Sequence, residues 1–166
     1  MPTITNYQPS DYEQTLDLII EFQDYIASID TKKQCKPFES RDDAKKYLDQ
    51  LIRDTHEKEG AFYLAKEGNE VIGLIQGIID RNTDNILYTL THYNPGAQGW
   101  IGEIFVKPSH RGTGIARQLA DKITTHFQAN NCTSIRLLVL SDNTQARQAY
   151  AHLGFTERDQ ELSKDL

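Results

Sequence analysis

The residues Arg111-Gly112-Thr113-Gly114-Ile115-Ala116 stand between an apolar, strand-like run ending at Val106 and an apolar, helix-like run. Glycine adopts backbone conformations closed to other residues and lets a ligand come close to the chain. The first N–H groups of a helix have no partner inside it and carry the positive end of its macrodipole. A glycine turn that opens a helix therefore suits a phosphate or pyrophosphate. Three phosphate-binding patterns compete here. A P-loop needs a lysine after its second glycine, and none follows. A dinucleotide fingerprint needs a third Gly or Ala where Arg117 stands. The pattern Arg/Gln-x-x-Gly-x-Gly/Ala is met at Arg111, Gly114 and Ala116. Taken alone, the same glycines would serve equally well as a tight turn with no ligand.

The surrounding elements decide where such a turn sits. Residues 3–7 have the character of a short strand. Ser10 and Glu13 form a capping-box pair for a helix over about 11–28, with Leu16, Ile19, Ile20 and Ile26 at helical spacing. Asp30–Glu39 is polar and reads as loop. Ser40 caps a second amphipathic helix, whose apolar stripe is Ala44, Tyr47, Leu48, Leu51 and Ile52, and Gly60 ends it. The period then changes. Ala61–Lys66 and Val71–Asp80 form an antiparallel hairpin around Glu67–Glu70, and a further short strand is expected near Ile86–Leu90. Trp100–Val106 is a strand ended by Pro108. Ile115, Leu119, Ile123 and Phe127 mark a helix over about 112–129, and Ile135–Leu140 a strand of the kind buried inside a sheet. Ser141, Asp142 and Asn143 offer caps for a helix over about 144–153, Gly154 stops it, and Phe155–Leu162 supplies a last strand. This order describes a single mixed α/β domain over residues 1–166, with helices on the faces of a central sheet.

Bulk properties narrow the class. A chain of 166 residues with 38% hydrophobic and 25% charged residues has the length and composition of one globular domain. No apolar run approaches the roughly 20 residues needed to cross a bilayer. The N-terminus lacks a basic-then-apolar signal pattern, so a cytoplasmic location without membrane attachment is expected. Cys35 and Cys132 read as free thiols. No His/Cys/Asp cluster has ligand spacing, so no metal is expected. The net charge of -6 argues against nucleic acid as the principal partner. The charge is concentrated in residues 1–60, where thirteen Asp/Glu against eight Lys/Arg leave a net of -5.

Trp100–Ala116 (WIGEIFVKPSHRGTGIA) resembles the acetyl-CoA-binding signature of the GCN5-related N-acetyltransferase (GNAT) superfamily: a Glu-apolar-x-Val-x-Pro strand end, an Arg-Gly-x-Gly-x-Ala turn, then an apolar helix. Asn143-x-x-Ala146-x-x-Ala149-Tyr150-x-x-Leu153-Gly154-Phe155 and the ending Leu162–Leu166 resemble two further family segments. The resemblance implies a central mixed, twisted sheet of six to seven strands flanked by about four helices. Acetyl-CoA would lie in the splay between two parallel strands, Trp100–Val106 and Ile135–Leu140.

The resemblance also implies roles. The pyrophosphate would be cradled by backbone N–H groups of Arg111, Gly112, Thr113, Gly114, Ile115 and Ala116. The pantetheine arm would pair with the backbone of Ile104, Phe105 and Val106 like an added strand. The N–H of Val106 would receive the oxyanion. Tyr150 is the candidate general acid, with a core aromatic as its plain alternative; a phenol of pKa about 10 suits a thiolate leaving group. Glu103 is the candidate general base, with a structural acceptor or substrate anchor as alternatives. Asn143 would touch the cofactor, cap its own helix, or do both. His92, His110, His126 and His152 read as surface residues.

The expected reaction moves an acetyl group from acetyl-CoA directly to a primary amine. In relatives the front helices and their loop form much of the acceptor site. Here that region is acidic, with Asp24, Tyr25, Asp30 and Phe38 near the loop, which suits a small cationic molecule or a peptide amine. A non-catalytic acetyl-CoA-binding module is the competing class. A homodimer is compatible with the resemblance, relatives often being dimers.

Overall fold

Where apolar residues recur every second position the chain forms strands, and where they recur every third or fourth it forms helices. The computed structural model describes residues 2–81, 96–161 and Lys164. Its elements are β1 (Thr3–Asn6), α1 (Tyr12–Ile29), α2 (Arg41–Glu57), β2 (Ala61–Glu67), β3 (Glu70–Asp80), β4 (Ala97–Val106), α3 (Ile115–Ala129), β5 (Cys132–Leu137) and α4 (Thr144–His152). Short 3-10 turns at Pro9–Asp11 and Pro108–His110 precede α1 and follow β4.

The strands form one sheet in the order β1-β2-β3-β4-β5. Neighbours are antiparallel except β4 and β5, which run parallel with α3 between them in the chain. Each face of the sheet carries its own core. On one side Ile72, Ile75, Ile79, Ile101 and Val106 pack against Ile115, Leu119, Ile123 and Phe127 of α3. On the other, Phe62, Leu64, Leu74 and Phe105 pack against Leu16 and Ile19 of α1 and Leu48 of α2. Phe127 lies so close to the sheet that a Cβ on Gly99 would fall 2.4 Å from its ring. That position therefore needs a residue without a side chain.

The α/β class and the helix count agree with expectation, and the sheet is smaller. Five strands lie among the described residues, against the six to seven expected. The segment near Ile86–Leu90 falls outside the described residues, as does most of the ending Leu162–Leu166. Residues 155–161 form no strand.

Several boundaries move for local reasons. The fourth strand begins at Ala97, three residues before Trp100. The fifth begins at Cys132 because Asn131, at φ 61, turns the chain straight out of α3. It ends at Leu137, and Leu138, expected inside the sheet, is 81% exposed. The Ser10–Glu13 capping box does not form. Instead the Asp11 carboxylate accepts from the Gln8 N–H at 3.1 Å and from Lys66 Nζ at 2.6 Å. Ser40 does cap α2, its Oγ accepting from the Asp43 N–H at 3.2 Å.

Candidate active site

Strand β4 is longer on one edge than the other. Its parallel pairing with β5 ends at Ile101–Leu137, whereas its antiparallel pairing with β3 continues to Gly73–Val106. A bulge at Gly102, between the pairs Gly77–Ile101 and Gln76–Glu103, resets which residues face which side. The Lys107 N–H donates to the Ile72 carbonyl at 2.9 Å, so alternation turns Phe105 toward β3. The same alternation turns the peptide groups of Ile104 and Val106 toward the edge that no described strand covers. The two parallel strands thus splay apart beside Gly102–Val106.

The glycine turn closes one end of this splay. Gly112 and Gly114 adopt φ values of 78 and 84, the left-handed region that favours glycine. Helix α3 therefore starts at Ile115, three residues later than the apolar spacing suggests. Thr113 is tied back by its hydroxyl, which donates to the His110 carbonyl at 2.7 Å. Among the described residues, nothing accepts a hydrogen bond from the backbone N–H groups of 112–117. A Cβ on Gly112 or Gly114 would meet nothing within 4 Å. The turn is an open cradle of unpartnered donors at a helix start, which fits a phosphate. Ile115 is 2% exposed, so its side chain belongs to the core and only its backbone faces the cradle. Ala116 is half-buried against the same core.

Arg111 behaves differently from the glycines that follow it. Its Nε donates to the Val106 carbonyl at 3.0 Å and its Nη1 to Gln145 of α4 at 3.1 Å. Its guanidinium lies 4.7 Å from the Tyr25 ring centroid and 5.4 Å from that of Phe105. The side chain thereby joins α1, the end of β4 and α4 by hydrogen bonds and cation–π contact. Asn143 opens α4. Its Oδ1 accepts from the Ala146 N–H at 3.1 Å, and the residue is buried. Of its expected roles, the structure contains the cap.

Glu103 projects from β4 onto the face covered by α1 and α2. It is nine-tenths buried, and burial raises its carboxyl pKa from 4.5 to about 7. The Tyr47 hydroxyl of α2 donates to its Oε1, which acts in the opposite direction by favouring the ionised form. On β3 the opposing residue is Gln76, whose Nε2 donates to Thr55 at 2.8 Å. Tyr150 of α4 lies within electrostatic reach. Its phenol is pushed up to about 12, first by burial and then by the Glu103 charge. Its ring packs edge-on against Phe155 at 6.0 Å.

Glu103, Tyr150, Arg111 and Val106 thus gather around the open edge of β4. The histidines do not. His110 contacts Ser109 at 2.8 Å and Glu67 at 3.4 Å, while His126 and His152 contact the carbonyls of Glu59 and Gln148. His92 lies outside the described residues. Tyr47 was legible only as a member of the apolar stripe of α2. The available signal was its hydroxyl, the one polar group on that stripe. Phe38 packs on Tyr47 at 5.5 Å, and Phe22 stacks at 5.1 Å on Phe105, two residues along β4 from Glu103.

Several acids of the front half are held in local contacts. Asp30 is 3% exposed and accepts from the N–H groups of Lys32, Gln34 and Cys35, which organises the α1–α2 loop and lowers its pKa. Glu13 and Asp17 pair with Arg41, and Asp43 with Lys46. Among the described residues, no group of His, Cys, Asp or Glu is arranged to hold a metal. No helix among them is long and apolar enough to cross a membrane.

Comparison with known proteins agrees with this architecture. Residues 25–155 match the model of the Acetyltransferase (GNAT) family, and the chain belongs to that family. Mycothiol acetyltransferase of Thermobispora bispora is 39% identical over 64 residues, covering 37% of this chain and 22% of the relative. N-alpha-acetyltransferase 30 of Saccharomyces cerevisiae is 33% identical over 64 residues, covering 39% and 36%. The matches therefore span about a third or less of these relatives' lengths. Among solved structures, AAC(6')-Iy in complex with the bisubstrate analogue CoA-S-monomethyl-acetylneamine has a TM-score of 0.72 at 19% identity, covering 100% of this chain and 98% of the other. That likeness is one of fold.

Proposed function

We propose that this protein is an acetyl-CoA-dependent N-acetyltransferase that moves the acetyl group directly to a primary amine of a small cationic molecule or a peptide. The observation that carries this reading is the open edge of β4 between the glycine cradle and the Glu103–Tyr150 pair. Family membership supports acetyl-CoA as the acetyl donor, and the fold neighbour with a CoA-containing analogue has the same overall architecture. The backbone of 111–116 would hold the pyrophosphate, and the outward peptide groups of Ile104 and Val106 would pair with the pantetheine arm.

An amine attacks a thioester only in its neutral form. The acceptor reacts as the free amine, and as the N–C bond forms Glu103, with its pKa raised to about 7, takes one N–H proton directly or through a water. The outward N–H of Val106 donates to the oxygen that becomes negative as the N–C bond forms. Collapse re-forms the carbonyl and breaks the C–S bond, and Tyr150 gives its phenolic proton to the departing thiolate. A phenol held protonated to about pH 12 retains that proton throughout the neutral range. The products are an N-acetylated amine and CoA, and the cycle closes when Glu103 releases its proton to solvent and Tyr150 regains one from it.

The rings near Glu103, Tyr47 with Phe38 and Phe105 with Phe22, favour an acceptor with an apolar stem beside its amine. The test is calorimetry with acetyl-CoA on the wild type and on Gly114→Val. Binding by the wild type and its loss in the variant are expected. No binding by the wild type would contradict the proposal.

A further inference from the structure

Glu103 is a buried carboxylate whose hydrogen-bond donor from a described side chain is the hydroxyl of Tyr47. Burying a charge is costly unless it is paired or hydrogen-bonded, so this one contact carries weight. Tyr47 reaches it from α2, a helix also joined to the sheet by the packing of Ala44 and Leu48 and by the Gln76–Thr55 hydrogen bond. A phenylalanine would continue that stripe equally well, and Tyr47 is 39% exposed, so filling the core does not explain the hydroxyl. Phe38, from the loop between α1 and α2, packs on the ring and limits where it can swing.

We propose that Tyr47 is a positioning residue for acetyl transfer: its hydroxyl holds Oε1 of Glu103 and leaves Oε2 to receive the proton of the acceptor amine. The proposal rests on the reading of Glu103 as the general base. The groups facing the carboxylate are few. Helix α2 contributes Tyr47, α4 contributes Tyr150, β3 contributes the neutral Gln76, and α1 presents the rings of Phe22 and Tyr25 to neighbouring Phe105. Among the described residues, no lysine, arginine or histidine charge acts on Glu103. Removing the Tyr47 hydroxyl therefore withdraws the one contact among the described residues that favours ionisation, while burial remains. Glu103 should then hold its proton to higher pH.

The test combines two measurements on wild type, Tyr47→Phe and Glu103→Gln. One is a carboxylate NMR titration with isotopically labelled glutamate, in which the signal missing from Glu103→Gln assigns the residue. The other is the pH profile of kcat/KM for CoA release with spermidine, kanamycin and a methionyl peptide as probe amines. The expected result for Tyr47→Phe is a Glu103 midpoint and an acidic limb both moved up by about one pH unit, with acetyl-CoA affinity within about twofold of wild type. An unmoved midpoint and limb in Tyr47→Phe, while Glu103→Gln abolishes the limb, would overturn the role of Tyr47 and leave Glu103 as the base. A limb that survives in Glu103→Gln would remove Glu103 from the base role, and the proposal would fall with it.

Discussion

The hydroxyl of Thr31 donates to the Asp142 carboxylate at 2.6 Å, and the Thr31 backbone N–H reaches the same oxygen at 3.1 Å. These residues are 111 apart in the chain, and the contact ties the α1–α2 loop to the residues just before α4. The same loop carries Phe38, which packs on Tyr47, so its order bears on the acceptor side of the site. Thr31→Val should loosen it. Amide exchange over residues 31–40 is expected to speed up by roughly tenfold, with little change in Tm because the contact is exposed. Unchanged exchange would show that Asp30 alone organises the loop.

Gly114 has both a backbone and a ligand reason to be glycine. At φ 84 a valine is strained, and its side chain would project into the open cradle. Gly114→Val should reduce acetyl-CoA affinity by at least about a hundredfold, as read by calorimetry. Retained affinity would move the pyrophosphate elsewhere.

Glu103 gives the fold a stability cost at neutral pH. A carboxyl whose folded pKa is about 7, against an ordinary 4.5, binds its proton more tightly when folded. Its contribution is fully present below pH 4.5 and is lost as the pH rises through 7. Glu103→Gln should therefore stabilise the protein at pH 8 by on the order of 1–3 kcal/mol, with little gain at pH 5. Thermal melts at the two pH values check this. An equal effect at both would mean that the carboxyl does not titrate near neutrality.

Tyr150→Phe should depress turnover by about a hundredfold and leave acetyl-CoA affinity nearly intact. Steady-state kinetics beside calorimetry separate the two. Unchanged turnover would make Tyr150 a packing partner of Phe155 only.

Asn143→Ala removes the cap of α4 and should lower stability by about 1 kcal/mol, readable as a fall in Tm of roughly 2–4 °C. A larger loss of acetyl-CoA affinity than of stability would add cofactor contact to its role.

The cradle and the strand leading into it were legible because their signals are local. Paired glycines before an apolar helix and a proline after a strand state their geometry within a few residues. The caps at Ser40 and Asn143 were legible for the same reason. Asp11 displaced the expected Ser10–Glu13 box because its carboxylate is held by Lys66, a partner 55 positions away. The Glu103–Tyr47 contact spans 56 positions and pairs two residues that local periodicity assigns to a strand and an apolar stripe. The acidic balance of the front half likewise does not say where each charge sits: Arg41, for one, lies between Glu13 and Asp17. Leu138 reads as interior by composition, yet β4 and β5 have already parted at Leu137.

The central claim is acetyl transfer from acetyl-CoA to an amine at the open edge of β4. The most direct measurement is thiol release from acetyl-CoA by the wild-type protein, with and without each member of a panel of primary amines. The account predicts release that depends on at least one amine and yields its N-acetylated product by mass. Acetyl-CoA binding with no amine-dependent release across small molecules and peptide N-termini would contradict it and make the protein a binding module.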